Sequence, residues 1–71
     1  METIKIGDTV TYRGGWGADT PKQAKIKWVE LCRAPGQKYG TMVNEIDVKS
    51  IEHCVFGLSD GHWCYGYQIV L

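Results

Sequence analysis

The chain has little proline, no excess charge of either sign and no long hydrophobic run. Two prolines, nine glycines and 44% hydrophobic residues are typical of a turn-rich folded chain rather than a disordered one. Eight Lys and Arg balance eight Asp and Glu, so no net field steers the chain toward phosphate or a membrane surface. No apolar run approaches the ~20 residues of a membrane span. These shortages exclude membrane partners and disfavour a typical nucleic-acid domain.

Paired cysteines are also missing. Cys32, Cys54 and Cys64 form no Cys-x-x-Cys motif, and His53 and His62 add no spacing typical of a zinc site. An odd number of cysteines and no signal peptide predict a reducing, cytoplasmic location. We therefore expect no bound metal and no cofactor.

What is present predicts short strands between glycine-rich loops. Residues 23–33 form the longest strand candidate, in which Ala24, Ile26 and Trp28 share one face. The apolar parity then switches to Val29, which predicts a β-bulge. The other predicted segments are a strand at 3–13 with a break at Gly-Asp, loops at 14–22 and 34–40, and an ambiguous strand or helical turn at 41–53.

The last part of the chain predicts a β-hairpin over residues 53–69. Its turn is placed at Asp60-Gly61, a pair preferred in two-residue loops. That register sets Leu58 opposite Trp63, and predicts Trp63 as a core residue. Trp63→Ala is then expected to unfold the domain. Together, residues 1–71 predict one all-β domain, a small barrel of about five strands with room for one short helical turn.

Two resemblances follow from these segments. The strand "GDTVTY", the hairpin "VFGLSDGHW" and the final "YGYQIVL" resemble SH3-like barrels, including Tudor and KOW-type modules, in order and spacing. The segments "GDTVTYRGGWGADTPK" and "DGHWCYGYQI" are similar to short uncharacterised proteins of bacteriophages and Bacteroides-type bacteria. The second resemblance implies an accessory protein of a phage or mobile element that engages a host component.

Aromatic side chains in loops and in the hairpin are the candidate site. In small barrels, loops at one rim bring such rings together, where they bind cations or stack on flat groups. The leading hypothesis is a non-catalytic module that binds a protein or small ligand. For Trp16, which lies in a predicted loop, the alternative is that its ring folds back and covers the core. The candidate ligand-binding residues are Trp16, Tyr39, His62, Tyr65 and Tyr67.

A nucleic-acid or nucleotide binder is the alternative function, with Lys25, Lys27 and Arg33 as phosphate contacts. Alternating lysines are also ordinary solvated positions of an outer strand. His62 beside Cys64 lacks a third catalytic group, so no enzyme activity is predicted. The expected oligomeric state is a monomer or a weak homodimer.

Overall fold

The computed structural model describes residues 2–34 and 40–70, without the side chain of residue 16. Strands dominate the described chain, which confirms the all-β prediction. The strands are β1 Thr3–Lys5, β2 Thr9–Tyr12, β3 Lys22–Leu31, β4 Thr41–Val43, β5 Glu45–Asp47, β6 Cys54–Leu58, β7 Trp63–Tyr65 and β8 Ile69–Val70. The short helical segments are α1 Gly14–Gly17 and the 3-10 helices η1 Val48–His53 and η2 Gly66–Gln68.

The main sheet has the strand order β7-β6-β3-β2-β8, and β4 pairs with the second half of β3. All of these pairings are antiparallel. β1 pairs with β5 in a separate two-stranded sheet, with Ile4 opposite Ile46. The long β3 joins both halves of the molecule, and the main sheet is strongly curled into a half-barrel. This architecture is consistent with a small SH3-like barrel.

The curl is accompanied by the predicted bulge in β3. Ile26 pairs with Leu58 and Trp28 pairs with Gly57, so Lys27 is the extra residue of the longer strand. The bulge lets Ile26 and Val29 both point into the core, although they are three residues apart. It also places Trp28 on the opposite face. The expectation that Trp28 shares a face with Ile26 is therefore wrong, because the bulge precedes Trp28 rather than following it.

The terminal hairpin differs from its predicted register by one residue. Phe56 pairs with Cys64, and Gly57 pairs with Trp63. The turn is a three-residue loop over 59–61, in which Gly61 donates its amide to the Leu58 carbonyl at 3.2 Å and adopts φ 86°. A shift of one residue exchanges the faces of a strand. Cys64 consequently lies in the core, and Trp63, predicted as core, is 44% exposed.

The core lies on the concave side of the curled sheet and is capped by η1. Its largest fully buried side chains are Tyr12, Phe56, Ile26, Val29, Cys54 and Cys64. Every residue of β6 is buried, whichever face it points to. Val55 and Gly57, on the face away from the core, must therefore be covered by other side chains.

Candidate functional site

The face of the sheet away from the core carries two rows of paired residues. One row crosses β4, β3, β6 and β7, and the other crosses β3, β6 and β7; residues that pair directly point to the same face. The first row is Met42, Glu30, Val55 and Tyr65, and the second is Trp28, Gly57 and Trp63. We call these seven residues the outer aromatic face.

The Trp28 indole lies across Gly57 in this face. A Cβ atom built on Gly57 would overlap the Trp28 ring at Nε1, Cε2 and Cδ1. The indole therefore occupies the space that a side chain at position 57 would fill. This packing explains why Gly57 is buried and why Trp28 is half-buried although it points away from the core.

An aromatic series continues from this face onto η2. The Trp63 and Tyr65 rings meet edge to face, with centroids 5.2 Å apart. Tyr65 stacks on Tyr67, with centroids 5.8 Å apart and planes 12° from parallel. Two of the rings are open to solvent, since Trp63 is 44% and Tyr67 53% exposed. Trp63 and Tyr67 thus leave aromatic surface open at both ends of the series.

Gln68 holds this series in place from beneath. Its side-chain oxygen accepts a hydrogen bond from the Tyr65 amide at 2.9 Å, and its side-chain nitrogen donates one to the Arg13 carbonyl at 2.9 Å. Because Gln68 is 8% exposed, both bonds lie largely out of water. A small open cleft of about 150 Å³ lies here, lined by Gly15, Trp63, Tyr65 and Gln68.

Charge is distributed unevenly along β3. Glu30 lies within the outer aromatic face and is half-buried between Met42 and Val55. Lys25 and Lys27 are exposed before and at the bulge, whereas Arg33 follows the other end of the strand. The three predicted phosphate contacts are therefore split by an acidic residue.

His62 belongs to a second group, at the tip of the hairpin. The Tyr12 hydroxyl donates to the Asp60 carboxylate, and the His62 Nδ1 lies 3.5 Å from the same hydroxyl. The bond to Tyr12 lowers the pKa of Asp60, and the same bond, together with burial, raises the pKa of Tyr12 to about 12. This group ties the hairpin tip to β2, on the side of the sheet opposite the outer aromatic face.

Cys64, which lies near this group, and Cys54, at the start of β6, are buried thiols. Cys64 is fully buried and Cys54 is 1% exposed. Burial raises the pKa of Cys64 to about 12 and that of Cys54 to about 11, so both stay protonated at neutral pH. Over residues 2–34 and 40–70, no three His, Cys, Asp or Glu side chains are grouped as metal ligands.

The structure brings together only part of the predicted site. Tyr65 and Tyr67 lie side by side, and His62 lies across the sheet from them. Trp16 belongs to α1, but its side chain lies outside what the structure describes, as does the whole of Tyr39. Sequence reasoning missed the contributions of Trp28, Glu30 and Met42. The parity switch in β3 was the available signal for the first two.

The comparisons with known proteins add no family. No family model matches the chain, and no curated protein or solved structure matches it significantly. The resemblances to Tudor and KOW-type modules and to short phage proteins are therefore unsupported by relatives. None of the helices in the described part of the chain has the length and apolar character that crossing a membrane requires.

Proposed function

We propose that this chain is a non-catalytic module that binds a segment of another protein on its outer aromatic face. The observation that carries the proposal is a set of large apolar side chains exposed on one side of a small sheet. Trp63 is 44% exposed and Met42, on the same face, is 59% exposed. Trp, Tyr and Met are enriched at protein interfaces, and clustered apolar exposure is typical of interaction sites.

The face is also held in its conformation before any partner arrives. Gly57 seats the Trp28 ring, and the Gln68 side chain fixes the backbone of Tyr65. A rigid site loses less conformational entropy on binding than a mobile one. This pre-organisation supports binding of a flexible segment, which then bears most of the ordering cost.

The charge pattern supports a protein partner over nucleic acid. The chain has no net charge, and Glu30 lies in β3 between Lys25 and Lys27 on one side and Arg33 on the other. Phosphate binding depends on neutralisation by several Lys or Arg side chains. Lys25 and Lys27 precede Trp28 in β3 and could contact phosphate groups. Binding of a nucleic acid is therefore the second outcome that the experiment below can detect. A cytoplasmic location and an accessory role in a phage or mobile element remain part of the proposal.

The experiment is a selection from a displayed library of random twelve-residue peptides on the folded chain. Enriched peptides are synthesised and titrated against the nitrogen-15-labelled protein. We expect the indole N–H signals of Trp28 and Trp63 to move. Enrichment of no peptide, or movement of these signals only with single-stranded oligonucleotides in a salt-sensitive manner, would contradict the proposal.

A pair of variants locates the site. Trp63→Ala combined with Tyr67→Ala should weaken the selected peptides at least about tenfold, because it removes two open rings of the surface. Ile6→Ala combined with Val70→Ala is the matched control, since these side chains are 44% and 45% exposed and are not among the seven residues of the outer aromatic face. Equal losses in both pairs would place the binding elsewhere.

Trp63→Ala alone should leave the chain folded. The side chain is 44% exposed, and its ring meets Tyr65 edge to face rather than packing in the core. We expect a loss of about 1 kcal/mol in the free energy of unfolding, measured with urea. Phe56→Ala, at a fully buried position, should cost about 3–5 kcal/mol. If Trp63→Ala were as damaging as Phe56→Ala, Trp63 would be a core residue.

A further inference from the structure

We propose that the Asp60-Gly61 pair is a site of isoaspartate formation, which the folded hairpin tip holds inactive by occupying both carboxylate oxygens of Asp60. The modification then accumulates on chains whose hairpin tip has opened. This inference is independent of the outer aromatic face and of any partner.

The sequence supplies the reactive pair. The chain has four aspartates, and Asp60 is the one that precedes a glycine. The other three precede Thr9, Thr20 and Val48, whose branched side chains crowd the backbone nitrogen. A glycine leaves its nitrogen open to approach by the preceding side chain. Asp60 and Gly61 are both exposed, so water also reaches them.

The modification is an intramolecular condensation followed by hydrolysis. The Gly61 nitrogen attacks the Asp60 Cγ, a C–N bond forms, and the carboxyl hydroxyl leaves as water with the amide proton. The five-membered succinimide then takes up one water molecule. Opening at the Asp60 main-chain carbonyl gives isoaspartate, in which the backbone runs through Cβ, whereas opening at Cγ restores aspartate. One water leaves and one enters, and no oxidant or reductant is needed.

Three hydrogen bonds oppose this reaction in the folded chain. One carboxylate oxygen of Asp60 accepts a bond from the Tyr12 hydroxyl, and the other accepts one from the His62 amide at 3.0 Å. The Gly61 amide donates its proton to the Leu58 carbonyl at 3.2 Å. The bond from Tyr12 also lowers the pKa of Asp60, and an ionised carboxylate is a poorer electrophile than the neutral acid. The attacking nitrogen and the attacked carboxyl group are thus both engaged elsewhere.

Opening of the hairpin tip releases these groups. Tyr12 belongs to β2, so its bond to Asp60 exists only while the tip lies against that strand. Isoaspartate lengthens the backbone by one methylene group within the loop over 59–61. The bond from the Gly61 amide to the Leu58 carbonyl depends on the original length of this loop. A modified chain therefore cannot re-form the same tip, which makes unfolding partly irreversible.

The test follows isoaspartate in the tryptic peptide 50–71 of the full chain. This peptide begins after Lys49 and contains one aspartate and no asparagine, so isoaspartate in it comes from Asp60. The isomers are separated by chromatography after incubation at mildly acidic pH. We expect formation to be at least about tenfold slower in the folded chain than in the same chain unfolded with guanidinium chloride, because opening breaks hydrogen bonds to a charged group. Asp60→Glu, whose longer side chain does not form the five-membered ring, should give no isomer.

Variants separate the local hydrogen bonds from overall stability. Tyr12→Phe removes one bond and leaves the reactive pair intact, so isoaspartate should form at least about threefold faster than in Ile46→Val. Ile46 is 5% exposed and pairs with β1, in the other sheet from the hairpin, which makes Ile46→Val the matched control of reduced stability. Urea unfolding gives the stability of each variant. A low urea concentration then brings the two variants to equal unfolded populations for the comparison of rates.

Two results overturn the proposal. Equal rates in the folded and unfolded chain would show that the fold does not restrain the pair. Equal rates in Tyr12→Phe and Ile46→Val at equal unfolded populations would show that only global unfolding governs the reaction. If Tyr12→Phe does not fold, the comparison of the folded and unfolded chain decides alone.

Discussion

Gly57 has no side chain, and the Trp28 indole fills the space that one would take. Gly57→Ala should therefore lower the free energy of unfolding by about 1–3 kcal/mol through overpacking and displace the Trp28 indole signal. Urea unfolding and the nitrogen–proton spectrum measure the two effects. Gly17→Ala is the control: its φ of 93° disfavours alanine, yet no atom lies near the new methyl group, so Trp28 should not move. An unperturbed Trp28 in Gly57→Ala would contradict the packing.

The hydrogen bond between Tyr12 and Asp60 predicts that the stability of the fold depends on pH in the acidic range. The folded-state pKa of Asp60 is lowered. Its contribution to the free energy of unfolding is therefore fully present above the unfolded-state pKa of about 3.9, and it is lost as the pH falls through the folded-state pKa. Tyr12→Phe should cost about 1 kcal/mol at pH 7, since the carboxylate is exposed. Urea unfolding from pH 7 to pH 2 should show the two proteins converging. A constant difference would mean that the bond does not report the ionised carboxylate.

Residue types alone predicted an aromatic candidate site, but not which aromatic side chains the fold would bring together. Tyr65 and Tyr67 were predicted and lie together. Trp28 and Glu30 were missed because a strand pattern shows where parity changes only to within a residue, and one residue decides the face. His62 was grouped with the tyrosines by proximity in sequence, whereas the alternation within the hairpin separates them.

Among the elements, the terminal hairpin shows why a correct turn position can give a wrong register. Asp60-Gly61 fits a two-residue loop, but it also fits a three-residue loop that begins at Ser59 and ends in a left-handed glycine. Both place the turn at the same residues. The hydrogen bond from the Leu58 amide to the His62 carbonyl, 2.9 Å, distinguishes them and is a property of the folded backbone.

Gly61 is the residue on which this loop depends. Its φ of 86° is unfavourable for a residue with a Cβ, so Gly61→Ala should destabilise the chain by about 1–2 kcal/mol. Gly61→Asn should cost less, because asparagine tolerates the left-handed region better. Urea unfolding of the two variants provides the comparison. Equal costs would mean that the side chain, rather than the backbone angle, is what the position rejects.

The bulge in β3 was foreseen because the apolar residues change parity within one uninterrupted strand. The residues that pair with β3 on either side of the bulge, Leu58 and Gly57, could not be predicted from the sequence pattern. Pairing depends on contacts between segments far apart in sequence, which a local pattern does not encode. The same limit applies to the separate pairing of β1 with β5.

For the molecule as a whole, buried protonated groups predict sensitivity to alkali. The pKa values of Cys54, Cys64 and Tyr12 are raised to about 11, 12 and 12. Each group contributes fully to the free energy of unfolding below its unfolded-state pKa, which is about 8.5 for cysteine and 10 for tyrosine. This contribution is lost as the pH rises through the folded-state pKa. Stability should thus begin to fall near pH 8.5.

The Cys54→Ala and Cys64→Ala double variant isolates the thiols. It is less stable at neutral pH because two buried sulfur atoms are lost, but its decline should start only near pH 10, where Tyr12 begins to contribute. Thermal unfolding from pH 7 to pH 11 measures both curves. A double variant that declines from pH 8.5 like the unaltered chain would show that these thiols do not cause the loss.

The contact between Trp28 and Gly57 also supplies a spectroscopic label within the molecule. An aromatic ring shifts the resonance of protons held against its face, and one Gly57 Hα lies where the indole passes. That proton should resonate far from the usual glycine position in the free protein. Any ligand that tilts the indole would change the shift, so the state of the outer aromatic face can be followed without attaching a dye.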